Sequence, residues 1–170
     1  MAEADPTGLV VCDAGPLIHL DQLGCLNLLA DFPLVKVPQA VWQEVDRHRP
    51  TALRRRSVKL ERVTDLPEAT TELIQLAQAL LLDAGELEAL RLMQATPDAV
   101  LLTDDAAARL VAERLAYEVH GTIGVIVRAL RRRQRTKRQV VNLLRAVPKR
   151  STLFIRATLL ESIIEQVVNA

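Results

Sequence analysis

Residues 8–13 read Gly-Leu-Val-Val-Cys-Asp, and this stretch decides the fold class that we infer for the chain. Gly8–Cys12 is a short apolar run rich in branched side chains, which is typical of a strand buried on both faces of a parallel sheet. Asp13 ends the run, and Gly15-Pro16 then begin a helix, because proline fits the first turn of one. A buried strand followed at once by a helix is the first half of a parallel β-α-β unit.

The same alternation of strands and helices continues along the chain. Further strands are predicted at Leu34–Val37, Ser57–Val63, Ala99–Thr103 and Tyr117–His120. Helices are predicted at Leu17–Leu23, Leu26–Ala30, Gln39–Arg47, Glu68–Leu82, Asp83–Ala95, Asp104–Ala116, Val125–Arg133, Lys137–Arg145 and Ser151–Val168. This order predicts an α/β fold, with a parallel sheet of about four to five strands and helices on both faces. We expect one domain, with its main part at residues 1–146 and a C-terminal helical extension at residues 147–170.

Composition excludes several classes of protein. The 170 residues are 49% hydrophobic and 25% charged, as in an ordinary globular domain rather than a disordered one. Cys12 and Cys25 are too few for a disulfide framework or a zinc site. The longest uncharged run, Leu73–Leu82, is too short to span a bilayer, and the first eight residues lack the layout of a signal peptide. We therefore expect a cytoplasmic protein with no membrane partner.

Acidic residues follow the predicted strands at the edge where parallel α/β sheets bind their ligands. The candidates for a catalytic and metal-binding set are Asp13, Glu44, Glu86, Asp104 and Asp105. Carboxylates that converge on one edge repel one another unless a cation lies between them. Oxygen ligands without histidine or cysteine suit a hard cation, Mg²⁺ or Mn²⁺, whose usual work in proteins is phosphoryl chemistry.

A purely structural role is the alternative for each of these acids. Asp83 and Glu86 have the spacing of a helix capping box, and Asp104 or Asp105 could cap the helix that follows them. Helical spacing nevertheless places Glu44, Glu86 and Asp104 at the head of apolar, core-facing stripes, where an unpaired carboxylate is costly.

Several polar residues near these acids have simpler interpretations. Glu88 points away from the apolar stripe of its helix, so we predict that it lies on the surface. Thr122 is predicted to cap a helix. Arg109 lies four residues after Asp105, which favours a helical ion pair, with a phosphate contact as the alternative.

The charge of the chain is unevenly distributed. Residues 1–118 hold 11 Lys/Arg against 19 Asp/Glu, whereas residues 119–160 hold 11 Lys/Arg and no acid. A basic segment joined to an acidic body favours contact with a polyanion such as RNA. The candidate nucleic-acid-binding residues are Arg109, Arg128, Arg131, Arg132, Arg133, Arg135, Lys137 and Arg138. The alternatives are a solvated helical face or a surface for an acidic protein partner.

Five motifs in order resemble the PIN-domain nuclease superfamily, and within it a prokaryotic branch related to toxin ribonucleases. The motifs are VVCDAGPLI (10–18), VPQAVWQEV (37–45), LDAGELEA (82–89), LLTDDAAAR (101–109) and GTIGV (121–125). The resemblance implies a parallel sheet with helices on both faces. It also implies a Mg²⁺ or Mn²⁺ site that hydrolyses RNA, often in the toxin of a toxin–antitoxin pair.

Carried over by position, Asp13, Glu44 and Glu86 match the family's metal-site acids, and the last acid is either Asp104 or Asp105. The chain departs from many relatives at Ala14-Gly15, where they have serine or threonine. We therefore expect a metal-dependent endoribonuclease with RNA, an antitoxin and a second copy of the chain as partners. The alternative is a PIN-fold module with little activity that binds nucleic acid or protein.

Overall fold

The buried strand at residues 9–12 lies at the centre of the sheet in a computed structural model that describes residues 8–170. The strands are β1 Leu9–Cys12, β2 Leu34–Pro38, β3 Leu60–Val63, β4 Val100–Leu102 and β5 Glu118–His120. They pair in the order β3-β2-β1-β4-β5, and every pair is parallel. The predicted α/β class and the strand count are therefore confirmed.

Eight α-helices connect and follow the strands within residues 8–170. They are α1 Ala14–Gln22, α2 Gln39–His48, α3 Thr71–Ala79, α4 Ala84–Ala95, α5 Ala106–Arg114, α6 Thr122–Arg131, α7 Lys137–Arg150 and α8 Ala157–Asn169. Two 3₁₀ helices lie at Leu26–Asp31 and Pro50–Arg54. Over these described residues, no helix combines the length and the apolar character needed to cross a bilayer.

The pleat of β1 divides the core into two layers. Val10 and Cys12 belong to one apolar cluster with α1, α6, α7 and α8, whereas Val11 belongs to the other with α3, α4 and α5. Successive side chains of a strand point to opposite faces, so an uninterrupted apolar run is what a sheet covered on both sides requires. The predicted helices on both faces are therefore present.

The strand order creates a switch point between β1 and β4. After β1 the chain adds β2 and β3 on one side, and it then returns to place β4 and β5 on the other. Loops that leave the carboxyl ends of β1 and β4 consequently separate, which leaves the crevice where open α/β sheets bind ligands. Asp13 follows β1, and its N–H donates to the carbonyl of Leu102 at the end of β4 (2.9 Å).

The structure shortens two predicted elements. Helix α3 begins only at Thr71, because side chains of α4 bind the backbone of the preceding segment: Nε of Arg91 donates to the carbonyl of Pro67 (2.7 Å) and Nε2 of Gln94 to that of Glu68 (3.2 Å). The strand predicted from Ser57 begins at Leu60. The hydrogen bonds from Arg91 and Gln94 could not be read from local periodicity.

The C-terminal helices also differ from the prediction. Helix α7 continues to Arg150 with Pro148 inside it, and α8 begins six residues later than Ser151. The intervening residues run without helix, and the N–H of Thr152 donates to Oε1 of Gln22 (2.8 Å) at the end of α1. Leu160, Ile164 and Val167 bury one face of α8 in the main core, so residues 147–170 pack onto the same body.

A buried acid organises residues 48–56, for which the sequence predicts no helix or strand. Asp21 on α1 is 2% exposed and accepts hydrogen bonds from Arg49 (2.7 Å), Thr51 (2.7 Å) and Arg55 (2.9 Å). Burial opposes its ionisation, but these bonds hold the pKa of Asp21 below its ordinary value. The 3₁₀ helix at Pro50–Arg54 is thus fixed by a tertiary ion pair and not by a sequence period.

We expect Asp21→Asn to lower the free energy of unfolding by about 2 kcal/mol, because hydrogen bonds to a charged group contribute roughly 1.5–3 kcal/mol. Urea denaturation measures the change. The control is Glu61→Gln, which removes an exposed ion pair to Lys36 (3.9 Å) and should cost less than about 0.5 kcal/mol. Equal losses in the two variants would contradict the role given to Asp21.

Candidate active site

Asp13 stands at the switch point with its carboxylate turned into the protein. It is 7% exposed, and it caps α1 by accepting from the N–H of Ala14 at Oδ1 (2.8 Å). Its other oxygen accepts from the hydroxyl of Thr103 (2.9 Å), the residue after β4. Burial raises the pKa of Asp13 to about 6 against these two hydrogen bonds, and the charges of Asp83 and Glu44 raise it further.

Glu44 acts electrostatically on Asp13 from helix α2. It lies in the second turn of α2, and its Oε2 is 3.5 Å from the position that a Cβ would take on Gly85, at the start of α4. The carboxylate of Glu44 therefore lies in van der Waals reach of the first turn of α4. Burial and the charge of Asp83 raise the pKa of Glu44, and electrostatic interactions with His48 and Arg47 oppose that rise.

Glu86 takes part in the capping box that its spacing allows. Oδ1 of Asp83 accepts from the N–H of Glu86 (2.8 Å), and Oε2 of Glu86 accepts from the N–H of Asp83 (2.9 Å). Burial raises the pKa of Glu86 to about 7 against the hydrogen bond from Asp83, and the charges of Asp83, Asp105 and Asp13 add to the rise. Glu86 therefore belongs to a helix cap and is also electrostatically coupled to Asp13.

The two acids after β4 have different surroundings. Both oxygens of Asp104 accept from Thr122 at the start of α6, one from its N–H (2.7 Å) and the other from its hydroxyl (2.6 Å). Nδ1 of His19, in α1, lies 2.7 Å from the second oxygen. Asp105 caps α5 through Oδ1 (2.8 Å to the N–H of Ala108), which leaves Oδ2 without a donor among residues 8–170, and its charge acts on Glu86. Asp105 is therefore the member of the pair coupled to the other acids.

The acids meet at one edge, but they do not form a finished cage. Within residues 8–170, no group of three His, Cys, Asp or Glu side chains is arranged as a ready-made metal site. The acids instead interact through space: in addition to burial, the charge of Asp83 raises the pKa values of Asp13, Glu44 and Glu86, Glu44 also acts on Asp13, and Asp105 and Asp13 also act on Glu86. Such a set can gain a proton or take up a hard cation, because either relieves the repulsion.

Three polar residues lie where the sequence did not indicate. Glu88, predicted to be on the surface, is half-buried and accepts from the N–H of Ala40 at the start of α2 (2.7 Å). Thr122 does not cap α6, because Gly121 is the capping residue and Thr122 donates to Asp104. Nη2 of Arg109 lies 3.4 Å from the carbonyl of Thr103, so the helical ion pair expected with Asp105 is replaced by a contact to the loop.

The basic segment 128–138 does not reach the acidic edge. Helix α6 begins beside Asp104 and runs back along the sheet, so Arg131 lies roughly 14 Å along the helix from Thr122. Arg128 is also occupied: it donates to both oxygens of Asp31 (3.0 and 2.8 Å) and stacks over Phe32. Arg128 therefore fastens α6 to the 3₁₀ helix at Leu26–Asp31 and is not a free phosphate ligand.

Sequence reasoning treated Asp83 only as a helix cap and did not find His19 or Thr103. The charge of Asp83 raises the pKa values of Asp13, Glu44 and Glu86. Thr103 bridges two loops, since its hydroxyl donates to Asp13 and accepts from the N–H of Asp105 (3.2 Å). Thr103 directly precedes the acidic pair, which was the available signal, whereas His19 reaches Asp104 across 85 positions of sequence and had none.

A family model described as a PIN domain matches residues 9–169. The chain belongs to the PIN-domain family. PIN domains are a nuclease superfamily whose members generally use divalent metals and bind nucleic acids, and the edge just described is where the acids of this PIN domain gather. No curated protein matches the chain.

We expect the metal-free PIN domain to lose stability as the pH rises from about 4 to 8. Asp13 ionises near 3.8 when unfolded but near 6 when folded, so the folded state holds the proton more tightly, and its ionisation costs roughly 3 kcal/mol. Urea unfolding in chelator at both pH values measures the fall. Asp13→Asn should make the fall smaller, since asparagine still caps α1 but carries no charge, and the fall that remains is expected from Glu86, whose pKa is raised to about 7. An equal pH dependence in the variant would contradict the raised pKa.

Proposed function

We propose that this PIN domain is a metal-dependent endoribonuclease in which Asp13, Glu44, Glu86 and Asp105 hold Mg²⁺ or Mn²⁺. The observation that carries the proposal is the mutual repulsion of carboxylates at the switch point. Asp13 and Glu86 have pKa values of about 6 and 7, so part of the set must be protonated near neutral pH unless a cation takes the place of the protons.

The donor set fits a hard cation. All four side chains offer carboxylate oxygen, and Mg²⁺ prefers one or two carboxylates while it keeps waters and takes phosphate oxygens. Oδ2 of Asp105 has no donor in the described part of the chain, and each capped oxygen of Asp13 and Glu86 retains a second lone pair. When bound, the cation would supply positive charge against the phosphodiester and acidify water for attack on phosphorus.

The remaining residues of the edge position these groups. The hydroxyl of Thr103 orients Asp13 by donating to its carboxylate. The same hydroxyl positions Asp105 by accepting from the N–H of that residue. Asp104 ties the start of α6 to the loop after β4 by accepting from Thr122, so we assign it a positioning role. Arg109, beside the same loop, is the residue that we propose to contact a phosphate next to the scissile bond.

Resemblance to toxin ribonucleases extends the proposal to the biological context. In that case the chain is a cytoplasmic toxin, it acts as a homodimer, and an antitoxin protein blocks its acidic edge. A neighbouring gene for a small DNA-binding antitoxin would support this extension. A second candidate function is a PIN-fold binding module with little activity. It is favoured by the hydrogen bonds that already engage Asp13, Glu86 and Asp105 as helix caps.

We expect Asp13→Asn and Asp105→Asn to abolish chelator-sensitive cleavage of RNA while the fold is retained. Asparagine preserves both helix caps, so each variant removes a charge and keeps the structural role. Asp104→Asn is the matched control: it should lose stability, because an acceptor for Thr122 or His19 disappears, but keep measurable cleavage. Full activity in the Asp13 variant would sink the assignment and favour the binding module.

We also expect Mg²⁺ or Mn²⁺ at millimolar concentration to raise the melting temperature, because the cation binds the folded state and relieves its repulsion. Glu86→Gln keeps the capping box but removes a ligand charge, so its shift should be smaller. Thermal melts with metal and with chelator measure both shifts. If neither protein responds, or if both respond alike, the carboxylates do not form a metal site.

A further inference from the structure

A second charged region lies at the end of the molecule opposite the acids. Helix α1 begins at the acidic edge and ends nine residues later at Gln22, so its last turn is roughly 13 Å from Asp13. Two basic segments that are distant in sequence meet at this turn. Asp21 binds Arg49 and Arg55 from one segment, and Gln22 binds Thr152 beyond the end of α7.

Helix α7 places a pocket and a row of cations at this end. The pocket is open to solvent and has a volume of about 240 Å³, and its lining includes Arg135, Gln139, Asn142 and Arg150. Nη2 of Arg150 lies 3.9 Å from the position that a Cβ would take on Gly24, where a positive φ of 69° already favours glycine. Among the described residues that line the pocket there are two guanidinium groups, two carboxamides and no carboxylate.

The cations of this pocket are available to a ligand. Arg150 is exposed and has no hydrogen-bond or ion-pair partner within residues 8–170. Arg135 donates to the carbonyl of Gln134 (2.9 Å) and to the side chain of Asn27 (3.1 Å), and no acid among the described residues neutralises its charge. Both guanidinium groups act on the thiol of Cys25, where they oppose the burial that raises its pKa to about 11.

Further cations surround the pocket on the same end. Arg138, Arg145 and Lys149 are exposed and follow helical spacing on α7, and they flank Asn142 of the pocket. Arg54 and Arg56 are exposed on either side of Arg55, which Asp21 holds against the end of α1. We name the pocket and these five cations the amino-edge basic surface, because it lies at the end where the strands begin.

We propose that the amino-edge basic surface binds backbone phosphates of RNA several nucleotides away from the bond that the acidic edge cleaves. Guanidinium forks match phosphate oxygens, and carboxamides donate to them as well. The surface carries no aromatic side chain for stacking among its named residues, so it reads phosphates and not bases. This inference rests on the proposed function, since it assumes that RNA is the substrate.

Charge separation explains why a nuclease of this form would need such a surface. The acidic edge repels a polyanion, whereas the opposite end attracts one, and contacts that release counterions supply most of the non-specific affinity for nucleic acid. At about 3.4 Å per nucleotide along a paired strand, the separation of roughly 13 Å spans about four steps. The substrate is therefore an RNA that extends at least about five nucleotides beyond the scissile bond.

The binding experiment compares Arg150→Gln with Arg114→Gln, using the full chain in chelator and a fluorescent RNA of about 20 nucleotides. Arg114 is the matched control, because it is an exposed arginine without a partner in residues 8–170 and lies in the other helix layer. We expect Arg150→Gln to weaken binding about three- to tenfold and to make the salt dependence shallower by about one phosphate contact, and Arg114→Gln to do neither. Identical affinities and salt slopes would overturn the inference.

Two further arms separate this inference from the proposed function and from a protein partner. With metal present, Arg150→Gln should raise the KM for the 20-nucleotide RNA and leave that for an RNA of about five nucleotides unchanged. If cleavage occurs with equal KM values for wild type and variant, the proposed role of the surface is wrong and the proposed nuclease activity stands. If the binding difference is found without any cleavage, the proposed nuclease activity is wrong and the role of the surface stands.

A polyglutamate peptide should bind far more weakly than RNA. If it binds more tightly and with the same dependence on Arg150, the surface docks an acidic protein and the inference is wrong.

Discussion

A carboxylate buried at the end of the central strand is the constraint on which the functional edge depends. Asp13 follows the strand that both core layers cover, so its side chain is buried from solvent but belongs to neither apolar core. It is stabilised there by the N–H of Ala14 and the hydroxyl of Thr103, which join the loops after β1 and β4. Asp13 therefore joins the two loops of the switch point and also interacts there with the charges of the neighbouring acids.

The neighbouring acids serve structure and site at the same time. Asp13, Asp83 and Asp105 each cap a helix that starts at this edge, and helix N-termini favour negative charge through their free N–H groups and their dipole. Parallel β-α units bring all such starts to one side of the sheet. The fold can therefore gather carboxylates that repel one another, because each of them is also bound to a helix. A capping role and a metal-binding role are not exclusive alternatives for these residues.

Helix direction decides how the charges of the chain are distributed in space. Helices that follow parallel strands run back toward the opposite edge, so the last turns of α1 and α6 lie far from the acids that precede them. Arg128 illustrates the consequence. It belongs to the basic segment in sequence, but in the fold it is bound to Asp31 and stacked over Phe32. Proximity to a motif along the chain is a poor guide to which cations can act with the acids.

Local sequence was sufficient for the class of fold and for the edge where the acids lie. The run at residues 9–12 and the alternation of strands and helices determine a parallel sheet, because burial on both faces requires uninterrupted apolar strands. Helix starts at Asp13, Asp83 and Asp105 follow from capping chemistry, which acts over three residues. Both kinds of signal are short-ranged, and for that reason they are visible in one sequence.

Long-range partners decided what the sequence left open. The 3₁₀ helix at Pro50–Arg54 depends on Asp21, and the late start of α3 depends on Arg91 and Gln94 of α4. The doublet Asp104-Asp105 is equivalent in sequence, yet His19 and Thr122 engage the first residue and leave the second coupled to Glu86. The sequence by itself determined which groups would carry charge and which strands would be buried. Only the tertiary structure decided which charges face one another, because that depends on contacts between residues up to about a hundred positions apart.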